Sequence, residues 1–271
     1  MKVKMIAVDI DGTLLNSKRQ LTERTVKAAK AAQAAGILFV LASGRMPCVM
    51  TDFVERLELK GPMLCYNGAL VVDAVTGETI TSLPIKAELA REIAAFCEEN
   101  RLQIQAYTGN AFTTETVNRF AVEYRDMLKP SPEMLVIGKK TSEWLDFDTP
   151  KMLAIDEPER IAEFLPVMRK RFEGRVKVNT SQPHLMEMVS PEAGKAAALE
   201  KLSELLHIDV GEVMVFGDGL NDLDMLQWAG TAVAMGNGAP EVKAAADIIA
   251  PTNDEDGVAV IIEKLLRGEV E

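Results

Sequence analysis

Lys4-Met-Ile-Ala-Val-Asp-Ile-Asp-Gly-Thr13 is the stretch whose reading decides the fold. Met5 to Val8 is a continuous apolar run rather than an alternating one, the pattern of a strand covered on both faces of a parallel sheet. The run ends in Asp9 and Asp11, one residue apart, and then a glycine. On an extended backbone the two carboxylates point to the same side, where their charges repel unless a cation lies between them or one takes a proton.

The grammar around this stretch is βαβ. Thr22 is positioned to cap an alanine-rich helix that stops at Gly36, and Ile37 to Leu41 follows as a second buried strand. A helix from about Pro47 to Leu57 leads to Met63–Tyr66, and residues 70–72 and 79–81 flank a Thr76-Gly77 turn as a hairpin. The last third repeats the alternation: helix Lys195 to Leu206, strand Val213 to Phe216, helix Leu220 to Ala229, strand Thr231 to Met235, and a final helix ending near Leu266. Between the two ends the pattern changes to helices with short paired strands, at 102–107, 111–114, 176–180 and 185–189. The expected fold is α/β: a doubly wound, mainly parallel, Rossmann-like core from residues 1–82 and 190–271, with an inserted α+β domain at 83–189.

The chain has 271 residues, 48% of them hydrophobic and 26% charged, which is globular rather than disordered composition. A formal net charge of -11 argues against a nucleic-acid polymer or an anionic membrane as partner, since both require a basic footprint. Any anionic ligand must therefore be held locally. Cys48, Cys65 and Cys97 are scattered, without metal or disulfide spacing, and no apolar run reaches the roughly 20 residues of a membrane span. A cytoplasmic protein is the expectation.

Four segments lie where strands end, the ligand-binding edge of an open α/β sheet. The first is Asp9-Ile-Asp-Gly-Thr13. The second, Ser43-Gly44-Arg45, offers a hydroxyl and backbone donors suited to phosphate at a helix start. The third puts Lys195 in the first turn of a helix, where the macrodipole disfavours a cation unless an anion holds it. The fourth, Gly217-Asp-Gly-Leu-Asn-Asp222, lacks the third glycine of a dinucleotide fingerprint, Asp222 standing in its place. A P-loop is excluded at Lys195, because Val189 and Ala196 occupy its required glycine and hydroxyl positions. Together the segments supply several carboxylates for a hard cation, for which Mg²⁺ is suited, with one lysine and one hydroxyl for a phosphate. One carboxylate could attack phosphorus while the other moves the proton.

In the order and content of these segments the chain resembles the haloacid dehalogenase (HAD) superfamily of aspartate-nucleophile phosphatases, and the insertion resembles the α+β cap of the Cof-like class IIB members. The resemblance implies a Mg²⁺-dependent phosphomonoesterase working through an aspartyl-phosphate on a small phosphorylated metabolite, with a sugar phosphate as the expected class. It assigns Asp9 as nucleophile and metal ligand and Asp11 as general acid/base whose backbone carbonyl reaches the metal. Asp218 becomes the remaining metal carboxylate. Ile10, Ser43, Gly44, Asn221 and Lys195 bind the phosphate, and Asp222 orients Lys195 or a water on the metal. Members of this class often carry Ser-Lys-Gly at the third segment, where this chain has Gly194-Lys195-Ala196. Arg45, Asn179, Ser181, His184 and Glu187 are candidate substrate contacts. A phosphomutase of the same superfamily and a non-catalytic phospholigand-binding protein are the alternative readings.

Overall fold

The computed structural model describes residues 2–128 and 130–270, without the side chain of Ser181. The chain divides into two compact units, one comprising Met1–Arg45, Met50–Thr81 and Gly194–Glu271, the other Met46–Val49 and Ser82–Ala193.

The first unit opens with β1 (Met5–Val8), α1 (Glu23–Ala34), β2 (Leu38–Ala42), α2 (Thr51–Leu57), β3 (Pro62–Cys65), β4 (Leu70–Asp73) and β5 (Thr79–Ser82). The Thr22 hydroxyl caps α1 by accepting from the Thr25 amide, and past the helix end Gly36 takes φ +84°. The helix expected from Pro47 is instead a 3₁₀ turn, Pro47–Met50, that leads into α2. No helix therefore begins directly at Ser43.

The second unit contains α3 (Ala87–Glu99), β6 (Gln103–Thr108), β7 (Ala111–Thr114), α4 (Arg119–Met127), β8 (Glu133–Val136), α5 (Thr141–Trp144), β9 (Met152–Ile155), α6 (Pro158–Arg171), β10 (Lys177–Gln182) and β11 (Leu185–Val189). Its six-stranded sheet runs β10-β11-β9-β6-β7-β8, antiparallel except for the β7–β8 pair. Ile104, Ala106, Met152, Ala154, Met186 and Met188, alternate residues of adjacent strands, share one hydrophobic core with Ile93, Cys97, Ile161 and Met168 of α3 and α6.

The chain then returns to the first unit through α7 (Lys195–Leu206), β12 (Val213–Gly217), α8 (Leu223–Trp228), β13 (Thr231–Ala234), α9 (Pro240–Ala244), β14 (Ile248–Ile249) and α10 (Gly257–Leu266). The sheet order is β14-β13-β12-β1-β2-β3-β4-β5, parallel from β14 through β3 and antiparallel at β3–β4. Met5, Ala7, Val40, Ala42, Val213 and Val215 pack with Ala198, Leu199, Leu202 and Met225 of α7 and α8. Their alternates Ile6, Val8, Phe39 and Leu41 are equally buried on the other face, which explains the unbroken apolar runs.

β1 is central, flanked by β2 on one side and β12 on the other. Val8 is in register with both Leu41 and Phe216. The segments after β1, β2 and β12 therefore leave the sheet at one level, at the point where strand order reverses and the connections diverge. None of the described helices is long and apolar enough to cross a membrane.

Candidate active site

Immediately after β1 the backbone turns. The Asp9 amide still bonds the Phe216 carbonyl at 3.0 Å, but the amides of Leu14 and Leu15 then reach back to the carbonyls of Asp9 and Ile10 at 3.1 and 3.0 Å. Gly12 sits inside this turn at φ +87°, and a Cβ there would lie 2.2 Å from Asp218 Oδ2. Glycine is thus required twice, for the left-handed backbone and for the approach of Asp218.

The strand ends at Val8, so Asp9 and Asp11 do not lie on one extended strand as expected: the turn intervenes between them. Asp9 is 5% exposed. Asp11 points outward and receives both Nε and one terminal nitrogen of Arg45, at 2.8 and 2.6 Å, with Arg19 at 3.6 Å. Arg45 lies over the Phe53 ring at 5.3 Å, which helps aim its guanidinium.

Lys195, the first residue of α7, is 1% exposed, and its Nζ meets Asp9 Oδ1 and Asp222 Oδ1, each at 2.6 Å. Asp222 uses its other oxygen to accept the amides of Asp218 and Gly219 at 3.0 and 2.9 Å. A Cβ at Gly217 would fall 2.5 Å from that of Asp222, so this turn closes only around glycine. Asp218 completes the group, its Oδ1 accepting the Thr13 hydroxyl at 2.7 Å. Asp9, Asp218 and Asp222 each present an oxygen within 4.8 Å of the others.

Three carboxylates around one ammonium leave excess negative charge in a nearly dry site. Burial pushes the Asp9 carboxyl up to about 7; Lys195 opposes that shift, while the charges of Asp222 and Asp218 add to it. Burial also works against the Lys195 charge, but Asp222 and Asp9 outweigh it and hold the ammonium above its ordinary range. Asp218 is raised as well, chiefly by burial, with the Thr13 hydroxyl opposing. An all-oxygen donor set with uncompensated charge fits a hard divalent cation, which would relieve the repulsion that the lysine alone leaves.

The phosphate-binding candidates lie on the same unit. Ser43 is buried, its Oγ accepting the Arg45 amide at 3.2 Å and its carbonyl accepting the Asn67 amide at 2.9 Å. A Cβ at Gly44 would press on the Asn67 side chain at 3.0 Å. Asn221 is exposed and its amide reaches Asn67 Oδ1 at 3.5 Å. Ile10 is fully buried.

Sequence reasoning missed three supporting residues. Thr13 was visible as the last residue of the quoted stretch. Asn67 follows β3 and takes φ +54° in an Asn-Gly pair. Asn237 donates to the Gly12 carbonyl at 2.8 Å, a contact 225 residues away in sequence and marked by no local pattern.

Of the other substrate candidates, Glu187 on β11 pairs with buried Lys151 at 2.9 Å, and Lys151 lies 5.5 Å from the Tyr107 ring centre. Asn179 is exposed on β10 opposite Glu187, and His184, partly buried, accepts the Asp156 amide through its carbonyl at 3.3 Å. The Ser181 side chain lies outside the described residues.

This chain is similar to the YxeH protein of Bacillus subtilis, at 33% identity over 268 residues, covering 97% of this chain and 98% of the relative. It is 31% identical to the 5-amino-6-(5-phospho-D-ribitylamino)uracil phosphatase YcsE of the same organism, covering 96% of this chain and 94% of the relative. The crystal structure of a haloacid dehalogenase-like hydrolase from Bacteroides thetaiotaomicron superposes with a TM-score of 0.87 at 31% identity, covering 97% of this chain and 99% of that one. With the sequence model for haloacid dehalogenase-like hydrolases matching residues 6–262, the chain belongs to that family.

Proposed function

We propose that this protein is a Mg²⁺-dependent phosphomonoesterase that works through an aspartyl-phosphate on a small phosphorylated metabolite. The coarser part, a phosphatase of the HAD superfamily, is supported by family membership and by the YcsE relative. The observation that carries the finer part is the buried Asp9–Lys195–Asp222 chain beside Asp218.

In this reading an Asp9 oxygen attacks phosphorus and the bond to the leaving oxygen breaks, while Asp11 delivers the proton that oxygen needs. Both Asp11 oxygens contact Arg45, so proton delivery requires one of them to be released. Water then attacks the phosphorus of the aspartyl-phosphate, Asp11 takes its proton, and Asp9 is regenerated with inorganic phosphate. Lys195, the Ser43 hydroxyl, Asn221 and the amides of Ile10 and Gly44 bind the phosphoryl oxygens, and Asp222 keeps Lys195 charged and aimed. Asp9, Asp218 and the Asp11 carbonyl would hold Mg²⁺, which supplies positive charge against the transferring group.

The inserted unit would select the leaving group as a cap domain, with Arg45, Asn179, His184 and Glu187 as the candidate contacts. A sugar phosphate is the proposed substrate class, and the cytoplasm the proposed location. The YcsE relative is a phosphatase of a phosphoribityl compound, which is consistent with a polyhydroxylated leaving group.

Phosphate release from a panel of phosphorylated metabolites, with and without Mg²⁺, tests this. Asp9→Asn should lower kcat on the order of 10⁴-fold or more while leaving the melting profile of a folded protein. Near-normal release by that variant refutes Asp9 as nucleophile, and metal-independent release refutes the Mg²⁺ assignment.

A further inference from the structure

Asp11 is held by two arginines. Arg45 reaches its Oδ2 through Nε at 2.8 Å and its Oδ1 through a terminal nitrogen at 2.6 Å, a fork matched to a planar carboxylate. Arg19 approaches the same Oδ1 at 3.6 Å. Among the described residues neither arginine has another ion-pair partner. Two guanidinium groups therefore converge on one carboxylate, leaving a local excess of positive charge in a chain whose formal net charge is -11.

Both arginines are placed by the structure around them. The Arg45 amide donates to Ser43 Oγ at 3.2 Å, its carbonyl accepts the Tyr66 amide at 3.0 Å, and its side chain, 15% exposed, lies over the Phe53 ring. Arg19 stands in a tight turn at φ +58°, where its amide donates to the Asn16 carbonyl at 2.8 Å and Asn16 Oδ1 accepts the amides of Lys18 and Gln20 at 3.0 and 2.9 Å. The side chains of Arg19 and Asp11 are 71% and 51% exposed, so a ligand can reach the group from solvent.

In the proposed reaction Asp11 must give up at least one contact with Arg45 to serve the leaving oxygen. Its departure leaves two guanidinium groups without their anion, a cost that falls mainly on the enclosed Arg45. A carboxylate on the leaving group would fit the same fork, and a phosphate anchored at Asp9 raises its effective concentration there.

We propose that Arg45 and Arg19 form a subsite for a carboxylate carried by the leaving group, so that the preferred substrates are phosphorylated sugar acids rather than neutral sugar or polyol phosphates. The ligand carboxylate displaces Asp11 from Arg45 and frees it for proton transfer. This inference rests on the phosphatase reading and narrows its substrate class.

Calorimetric titration of the full-chain Asp9→Asn variant with Mg²⁺ present measures binding apart from turnover. The ligands are 3-phosphoglycerate, 4-phosphoerythronate and 6-phosphogluconate, each beside the polyol phosphate of the same carbon number. At least one acid should bind about tenfold or more tightly than its polyol. In that background Arg45→Met, which keeps an unbranched side chain over Phe53, should bring the ratio close to unity, and Arg45→Lys, which keeps the charge without the fork, should retain part of it. Arg19→Asn, with a residue that tolerates the positive φ, should lower the ratio about threefold. A preference below about tenfold in every pair, or one that persists in the Arg45→Met/Arg19→Asn combination, would overturn the proposal. Hydrolysis of p-nitrophenyl phosphate by the parent protein tests the phosphatase reading separately, so a missing carboxylate preference with intact hydrolysis refutes the subsite alone.

Discussion

Replacing Lys195 by methionine removes the ammonium that, among the described residues, meets Asp9 and Asp222, while nearly keeping its volume. Breaking a buried ion pair by deleting one partner costs about 3–5 kcal/mol, because the remaining charge is left uncompensated. In this site the cost depends on pH. Asp9 is already raised to about 7 with Lys195 pulling it down, so the variant's Asp9 titrates higher still. In the parent protein without metal, folded Asp9 holds a proton that the unfolded chain, with the ordinary carboxylate value of 3.8, has lost. Stability therefore falls as pH rises from about 4 to 7, by about 1.4 kcal/mol per unit and on the order of 4 kcal/mol in all, and levels off once folded Asp9 ionises. In Lys195→Met the fall continues beyond pH 7 while the parent's is nearly complete, so the gap between the two proteins should widen by about 1 kcal/mol from pH 7 to 8. Urea unfolding followed by circular dichroism, with a chelator present, measures this at pH 5, 6, 7 and 8. A variant within about 1 kcal/mol of the parent at pH 7, or a gap that stays constant from pH 7 to 8, would refute the view that Lys195 carries the charge balance of this site.

Asp11→Asn should slow release from alkyl phosphates by about 100-fold or more and from activated aryl phosphates much less, since an aryl oxide leaves without a proton; equal losses on both would refute the acid role. Gly12→Ala meets Asp218 Oδ2 at 2.2 Å and holds a non-glycine residue at φ +87°. It should cost about 1–3 kcal/mol and weaken Mg²⁺ binding about tenfold by calorimetry, and an unperturbed affinity would show that Asp218 is not a metal ligand. Saturating Mg²⁺ should raise the melting temperature more at pH 8 than at pH 5, because binding requires the Asp9 carboxylate that low pH protonates; a pH-independent increment would place the ion elsewhere.

The sequence alone determined the doubly wound α/β class and which residues could form a site. β1, β2, β12 and β13 read as unbroken apolar runs because both faces of the sheet are covered, and Asp9, Ser43 and Asp218 follow those runs directly. Lys195 stood out as a cation at a helix start, and Gly12 as a glycine in a motif. Tertiary structure decided the rest. The turn after Val8 puts Asp9 in the interior and Asp11 on Arg45, a separation that strand periodicity could not foresee because the strand ends at Val8. In the second unit neither β8 nor β9 is among the strands read from the sequence, although Met152–Ile155 is an apolar run like that of β1 and β9 lies between β11 and β6 in that sheet. Lys195 is enclosed because residues 186 positions and 27 positions away in the chain converge on it. The Thr13–Asp218 and Asn237–Gly12 bonds likewise span more than 200 residues. Local pattern carries the information for which backbone segments become strands and helices, whereas burial, charge balance and hydrogen-bond partners arise only when distant segments share one edge of the sheet.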